Sequence, residues 1–252
     1  ASREELQRGI PDEAFKTLPD DDKSTAAELR KQNKAERKGY QSLDFSGRPA
    51  DDLDALRSDF SSVANLPEHT PEEIRQKQEA YNEFRRGIHL RNLKTLADVQ
   101  VAQFYIPKTP ETRRKITTHD QYRRYLRSEN PHPVPTAYAQ AIAHRKRFFH
   151  WFLEFPDVFA NGGFACILGN PPYLGDKKLG STYGREFVNW IVFEYAPASI
   201  VDLVTYFLRR CFLLLQKGGF QALITTNTIT QGDARKGGLG FIATTGGTIN
   251  LR

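Results

Sequence analysis

Four consecutive residues, Asn170-Pro171-Pro172-Tyr173, combine a side-chain amide, a rigid backbone carbonyl and an aromatic face. That combination suits alkyl transfer to an exocyclic amine on an aromatic ring. Such a nitrogen is a poor nucleophile because its lone pair is delocalised into the ring. Acceptors placed on both of its N–H bonds push it towards tetrahedral geometry and localise the lone pair. The Asn170 side-chain oxygen can be one acceptor, and the Pro171 carbonyl, stiffened by Pro172, can be the other. Tyr173 offers a flat surface on which the ring can stack. No general base has to act before the transfer, because positioning and electrostatics carry the step. Asn-Pro-Pro by itself is also a common turn signal, so its surroundings decide between the two readings.

Residues 164–169, entered from Gly162-Gly163, are mostly apolar and read as a buried parallel strand, which the two prolines then stop. The tetrapeptide therefore belongs at the carboxyl end of a strand, where open α/β sheets bind ligands. Residues 202–216 have apolar side chains at helical spacing and meet a stop signal at Lys217-Gly218-Gly219. Residues 220–227 read as the next buried strand, completing a right-handed β-α-β unit of a doubly wound sheet. Upstream, Glu154-Phe155 ends the apolar run from Phe148, one loop before the motif strand. An acid beside an aromatic could hold the adenosine of a cofactor, and Glu154 could equally be a helix-terminal or salt-bridged carboxylate.

The series HWFLEFPDVF, GGFACILGNPPYLG, STYG, DLVTYFLRRCFLLLQKGGFQALITTNTITQGD and GGTI resembles the large adenine-N6 DNA methyltransferases of restriction-modification and phage-defence systems, including the fused type II enzymes and the DISARM-type methylase. The resemblance covers residues 148–252 closely and the first 147 loosely. It implies S-adenosylmethionine as cofactor and a flipped adenine in double-stranded DNA as substrate. Asn170, Pro171, Pro172 and Tyr173 then match the amine-binding and base-stacking residues, and Glu154-Phe155 the pair on the adenine of the cofactor. Flipping costs a few kcal/mol of stacking and pairing, partly offset by the aromatic contact.

One departure from the family pattern concerns its glycine-rich cofactor loop, which follows the first strand and precedes Asn-Pro-Pro-Tyr. Residues 1–169 contain no such loop. Phe159-Ala160-Asn161-Gly162-Gly163-Phe164 leads into a strand instead of out of one, and Gly237-Gly238-Leu239-Gly240 comes after the motif. With no Met in 252 residues and an end at Thr248-Ile249-Asn250-Leu251-Arg252, where another strand is expected, the chain reads as an internal piece of a larger enzyme, inactive by itself.

Hydrophobic residues make up 39% of the chain, enough for an ordinary core in one or two domains. Neither an apolar run of ~18 residues nor a signal-peptide pattern occurs, which argues against membrane insertion and secretion and for a cytoplasmic protein. Cys166 and Cys211 fall on the expected strand and helix as small core residues without metal-ligand spacing, and no metal site is expected. His144 and His150 read as capping or packing residues.

The charge is unevenly spread. Residues 1–84 carry 13 Lys/Arg against 19 Asp/Glu, residues 85–148 carry 14 against 4, and residues 149–252 carry 9 against 7. The basic middle, with Arg113, Arg114 and Lys115 and the interleaved Tyr122 and Tyr125, suits phosphate contact near a flipped base; a solvated helical face is the plain alternative. Residues 174–184 read as a glycine-rich loop able to bring Lys177, Lys178 and Tyr183 to DNA, or as an ordinary connector.

Helices are expected at residues 24–38, stopped by Gly39, and 51–59, after a loop from Gln41. A long one should run from Thr70 to about Tyr105 with a bend at Gly87, followed by helices at 118–127 and 136–149 after a stiff Pro-rich connector. The expected architecture is α/β: a mainly helical region at 1–147, basic in its second half, and a partial Rossmann-like methyltransferase sheet at 148–252. An RNA or protein-glutamine methyltransferase is the nearest enzymatic alternative. A non-catalytic subunit that binds DNA or other subunits of a defence complex is the alternative from another class.

Overall fold

The computed structural model describes residues 3–38, 48–127, 129–196 and 199–250, in two compact units, Ala1–Ala160 and Asn161–Arg252. The first unit is helical throughout its described residues. Its elements are α1 (Arg3–Gln7), a 3-10 turn (Asp12–Phe15), α2 (Lys23–Arg37), α3 (Arg48–Ala64), α4 (Pro71–Arg86), α5 (Ile88–Ala102), a second 3-10 turn (Arg113–Lys115), α6 (His119–Leu126), α7 (Pro133–Lys146), α8 (Trp151–Glu154) and α9 (Pro156–Ala160).

Local chemistry sets these boundaries. Asp22 accepts the Thr25 N–H at 2.8 Å and starts α2, and Thr70 with Glu73 forms a reciprocal capping box at α4. The expected stop at Gly39 and the loop of residues 41–47 lie outside the described residues. Gly87 adopts an extended conformation with ψ 148, so the long helix expected from Thr70 is broken there, not bent. Helix α3 is longer than the expected 51–59. Helix α7 starts at Pro133, inside the expected connector, because prolines in a first turn lack only N–H groups that have no intrahelical partner. The core centres on α5, whose Leu90, Leu93, Leu96, Ala97 and Val99 are buried as it packs against α3 and α7.

In the second unit β1 (Phe164–Gly169) is followed by α10 (Asp176–Tyr183), α11 (Arg185–Glu194), α12 (Leu203–Leu214) and β2 (Leu215–Leu223), which pairs in parallel with β1. A 3-10 turn (Asn227–Thr230), α13 (Gly232–Arg235), a π-helical stretch (Lys236–Gly240) and α14 (Phe241–Thr244) complete it. Cys166 pairs with Phe220 and Gly169 with Leu223, while β2 bulges through Gln216-Lys217-Gly218-Gly219, with Gly218 at φ 78. The second strand ends at Leu223, short of the expected Asn227, and Thr248–Asn250 is not a strand. Gly163 sits at φ 122 where a Cβ would lie 2.5 Å from the Leu214 carbonyl oxygen, so the chain enters β1 through a gap that admits only glycine.

The fold is thus helix-rich with a two-stranded parallel sheet among the described residues. Both strands were expected to be buried, and the structure corrects this. Cys166, Leu168, Phe220, Ala222 and Ile224, which alternation places on one face, are all exposed, with Leu168 at 71%. The opposite face meets helices: Leu223 packs on the cluster of Val204, Leu208, Ile229, Leu239 and Ile242, and the Gln221 amide donates to the Leu208 carbonyl at 3.3 Å. Cys166 is consequently exposed and Cys211 half-buried, neither of them the core residue expected. Apolar strand composition anticipates helices on both faces, whereas the described helices cover one. No described helix is long and apolar enough to cross a membrane.

Candidate active site

The Gly169 carbonyl at the end of β1 accepts the Ile224 N–H at 3.0 Å, and Asn170-Pro171-Pro172-Tyr173 leaves the sheet from that rung. Pro171 is buried; Asn170, Pro172 and Tyr173 are exposed. The Tyr173 hydroxyl donates to the Asn170 side-chain oxygen and also lies 3.2 Å from the Ile224 carbonyl oxygen. This contact orients the Asn170 amide. An amide oxygen accepts two hydrogen bonds, so one remains for an incoming amine. The Tyr173 ring is 48% exposed and retains surface for stacking.

The start of α12 holds the rest of the loop. The Leu203 N–H donates to the Leu174 carbonyl at 2.9 Å, and Asp202 accepts the Asp176 N–H at 3.1 Å. Asp202 therefore caps α10, not its own helix. The Tyr206 hydroxyl donates to the Ser199 carbonyl at 2.9 Å, fixing the approach to Asp202, and burial pushes its pKa up. Residues 174–184 were expected to be a loop, yet α10 occupies most of them. Its cap comes from a carboxylate 26 residues away, and Leu179 anchors it in the cluster of Val188, Ile191, Tyr195, Val201, Leu203 and Tyr206. Lys177 and Lys178 are exposed in the first turn of α10, and Tyr183 at its end packs its ring 4.9 Å from that of Phe187.

The remaining sequence candidates belong to the first unit. Glu154 ends α8 with its carboxylate on the Arg85 guanidinium, and the Phe155 ring stacks on Trp151 with centroids 5.8 Å apart. Glu154 is thus helix-terminal and salt-bridged. Its second oxygen can still accept hydroxyl or amino hydrogens beside an aromatic surface, an acceptor and a flat face that fit an adenosine. Arg113 is paired with Glu28 at 2.7 Å, Lys115 lies 4.5 Å from the centre of the Tyr138 ring, and Arg114 is exposed. The glycines at 237, 238 and 240 fall in the π-helical stretch, where Gly238 makes room for Thr205, Ile229 and Leu208.

Two contributors escaped the sequence reading. The Ile224 carbonyl meets Tyr173 only because β2 pairs with β1, and nothing near Asp202 in sequence marks it as the cap of another helix.

A family model described as Eco57I restriction-modification methylase matches residues 62–244, spanning both units. No curated protein and no solved structure matches the chain.

Proposed function

Since the chain belongs to the Eco57I restriction-modification methylase family, we propose that it is the catalytic portion of an adenine-N6 DNA methyltransferase of a restriction-modification or phage-defence system. Asn170 Oδ1 and the Pro171 carbonyl accept the two N–H bonds of a flipped adenine, Pro172 keeps that carbonyl rigid, and Tyr173 stacks on the base. The hydrogen bond from Tyr173 to Asn170, at the carboxyl end of β1, is the observation that carries this reading. It couples the stacking residue to the amine acceptor, so one contact aligns both parts of the site.

S-adenosylmethionine, when bound, supplies an electrophilic methyl group. In this reading Glu154 accepts hydrogen bonds from its adenosine and Phe155 packs against the adenine. Lys177, Lys178 and Tyr183 face DNA near the target base, and Arg113, Arg114 and Lys115 contact phosphates. Arg113 and Lys115 are already engaged by Glu28 and Tyr138, which leaves Arg114 the strongest contributor of the three. The β1–β2 pair would belong to a Rossmann-like sheet, and the enzyme would act on duplex DNA in the cytoplasm, with other subunits of its system as partners.

The test is transfer of labelled methyl from S-adenosylmethionine to duplex DNA by the chain and by any longer protein that contains it, followed by nucleoside analysis. Label in N6-methyladenine, abolished by Asn170→Ala while cofactor binding persists, is the expected result. Label in RNA or protein alone, or full activity of Asn170→Ala, would overturn the proposal.

A further inference from the structure

In the first unit α5 and α7 enclose an open groove of about 580 Å³, lined by Arg91, Lys94, Thr95 and Asp98 from α5 and by Gln140, Ala143, His144, Arg147 and Phe148 from α7 and the residues after it. The family match assigns it no role, and the sequence places phosphate contact only in the basic stretch 85–148 as a whole, without this groove.

Its electrostatics are one-sided. Asp98, the one acid in the lining, is buried with both oxygens engaged: Oδ2 takes Lys94 Nζ at 2.6 Å and Oδ1 takes His150 Nε2 at 2.8 Å. Lys94 and Asp98 therefore neutralise each other. Arg91, His144 and Arg147 are exposed at the rim, and no side-chain partner for any of them is seen among the described residues. Two guanidinium groups and an imidazole thus line one groove, Arg91 from α5 and His144 and Arg147 from the end of α7 and the residue after it. The last turn of α7 favours basic side chains through the helix dipole, which accounts for the His144-Arg145-Lys146 ending but not for Arg91, near the start of α5.

Arg147 adds an independent observation. It occupies the position after α7 in a left-handed conformation, φ 55 and ψ 54, and is the one described non-glycine residue with positive φ. Glycine or asparagine fills such a position with less strain. An arginine held there places a guanidinium at the mouth of the groove.

We infer that this α5–α7 groove binds the phosphodiester backbone of DNA, through Arg91, His144 and Arg147. The inference rests on the proposed DNA-methylating role. It adds a backbone-positioning site on the helical unit, separate from Arg113–Lys115. The groove is open, with Arg91, His144 and Arg147 at the surface, which suits a strand passing across it better than an enclosed small phosphate ester. Phosphate contacts of this kind fix orientation without reading bases.

The test uses the full chain, fluorescein-labelled duplex DNA and anisotropy over a salt series, comparing wild type with Arg147→Gly and with Arg91→Gln/Arg147→Gly. Each lost phosphate contact should reduce the salt slope by roughly one, and the double variant should bind roughly 10-fold or more weakly at low salt. Arg147→Gly should melt at or above the wild-type temperature, because glycine relieves the left-handed strain while the DNA contact is lost. Opposite movements of melting temperature and affinity separate a binding residue from a structural one. Unchanged affinity and slope in both variants, in a wild type that binds DNA, would overturn the groove alone. A wild type that does not bind DNA would overturn the groove and the DNA-methylating reading together. Mononucleotide binding lost in the variants while DNA affinity is kept would overturn it in favour of a free phosphorylated ligand.

Discussion

Replacing Tyr173 by Phe and by Ala separates the two tasks assigned to this side chain. Phe keeps the ring, 48% exposed and available to a base, but removes the hydroxyl bonded to Asn170 Oδ1 and close to the Ile224 carbonyl. A solvent-accessible hydrogen bond of that kind contributes about 1 kcal/mol, so losing it should let the Asn170 amide rotate and slow methyl transfer roughly 5-fold, with DNA affinity unchanged. Ala removes the stacking surface as well, which for a base on an aromatic ring is worth ~1–3 kcal/mol, or roughly 5- to 150-fold in occupancy of the flipped state. Single-turnover transfer of labelled methyl reads the first effect. Fluorescence of 2-aminopurine at the target position reads the second. Because Tyr173 is half exposed, both variants should melt within a few degrees of wild type. If Phe lowers the flipped-base signal as much as Ala does, the hydroxyl and not the ring face holds the base. If neither variant changes transfer, Tyr173 is not part of the site.

Gly163→Ala should destabilise the second unit by roughly 2 kcal/mol or more, since it combines a positive φ with a Cβ 2.5 Å from the Leu214 carbonyl oxygen; a denaturant midpoint equal to wild type would show that the β1 entry can shift. Burial depresses the pKa values of His119 and His150 below the ordinary 6.5. Above that value neither state is protonated and the full stability is present; as pH falls below it the unfolded chain takes up protons that the folded chain refuses. Stability should therefore drop as pH falls below 6.5, by at most about 1.4 kcal/mol per pH unit for each histidine, and a melting temperature that stays flat as pH falls below 6.5 would refute the assignment. Tyr122 is fully buried, and no partner for its hydroxyl is seen among the described residues. Tyr122→Phe should be as stable as wild type or about 1 kcal/mol more stable by chemical denaturation, and a loss of more than that would reveal a hydrogen bond at the hydroxyl.

What could be read in the sequence was what neighbouring residues decide. Thr70 with Glu73 announces the start of α4, Gly87 marks a change in the helix that proves to be a break instead of the expected bend, and the prolines after Gly169 stop β1 and expose Asn170 at a strand end. The parallel pairing of residues 164–169 with 220–223 also followed from two apolar runs separated by a helix. What could not be read depends on partners far along the chain. Residues 174–184 look like a loop because three glycines lie among them, and become a helix because Asp202 caps Asp176 and Leu179 finds a core. The groove cations sit on α5 and on or just beyond α7, about 50 residues apart, and only the packing of those helices brings them together.

The exposure of one face of β1 bears on how the candidate site works. Cys166, Leu168, Phe220, Ala222 and Ile224 form an exposed apolar face that ends at the Asn170–Tyr173 loop, and the Ile224 carbonyl touches the Tyr173 hydroxyl. Whatever covers that face changes the dielectric around Asn170. A hydrogen bond from Asn170 Oδ1 to an amine strengthens as water is excluded, so covering the sheet and localising the amine lone pair are linked through the same few residues. Leu168→Ser and Phe220→Ser, which keep the loop but make the face polar, should slow methyl transfer while leaving melting temperature nearly unchanged, because both side chains are already exposed. Single-turnover transfer and thermal melting measure the two quantities, and a fall in stability matching the fall in rate would show that the face supports the fold and not the chemistry.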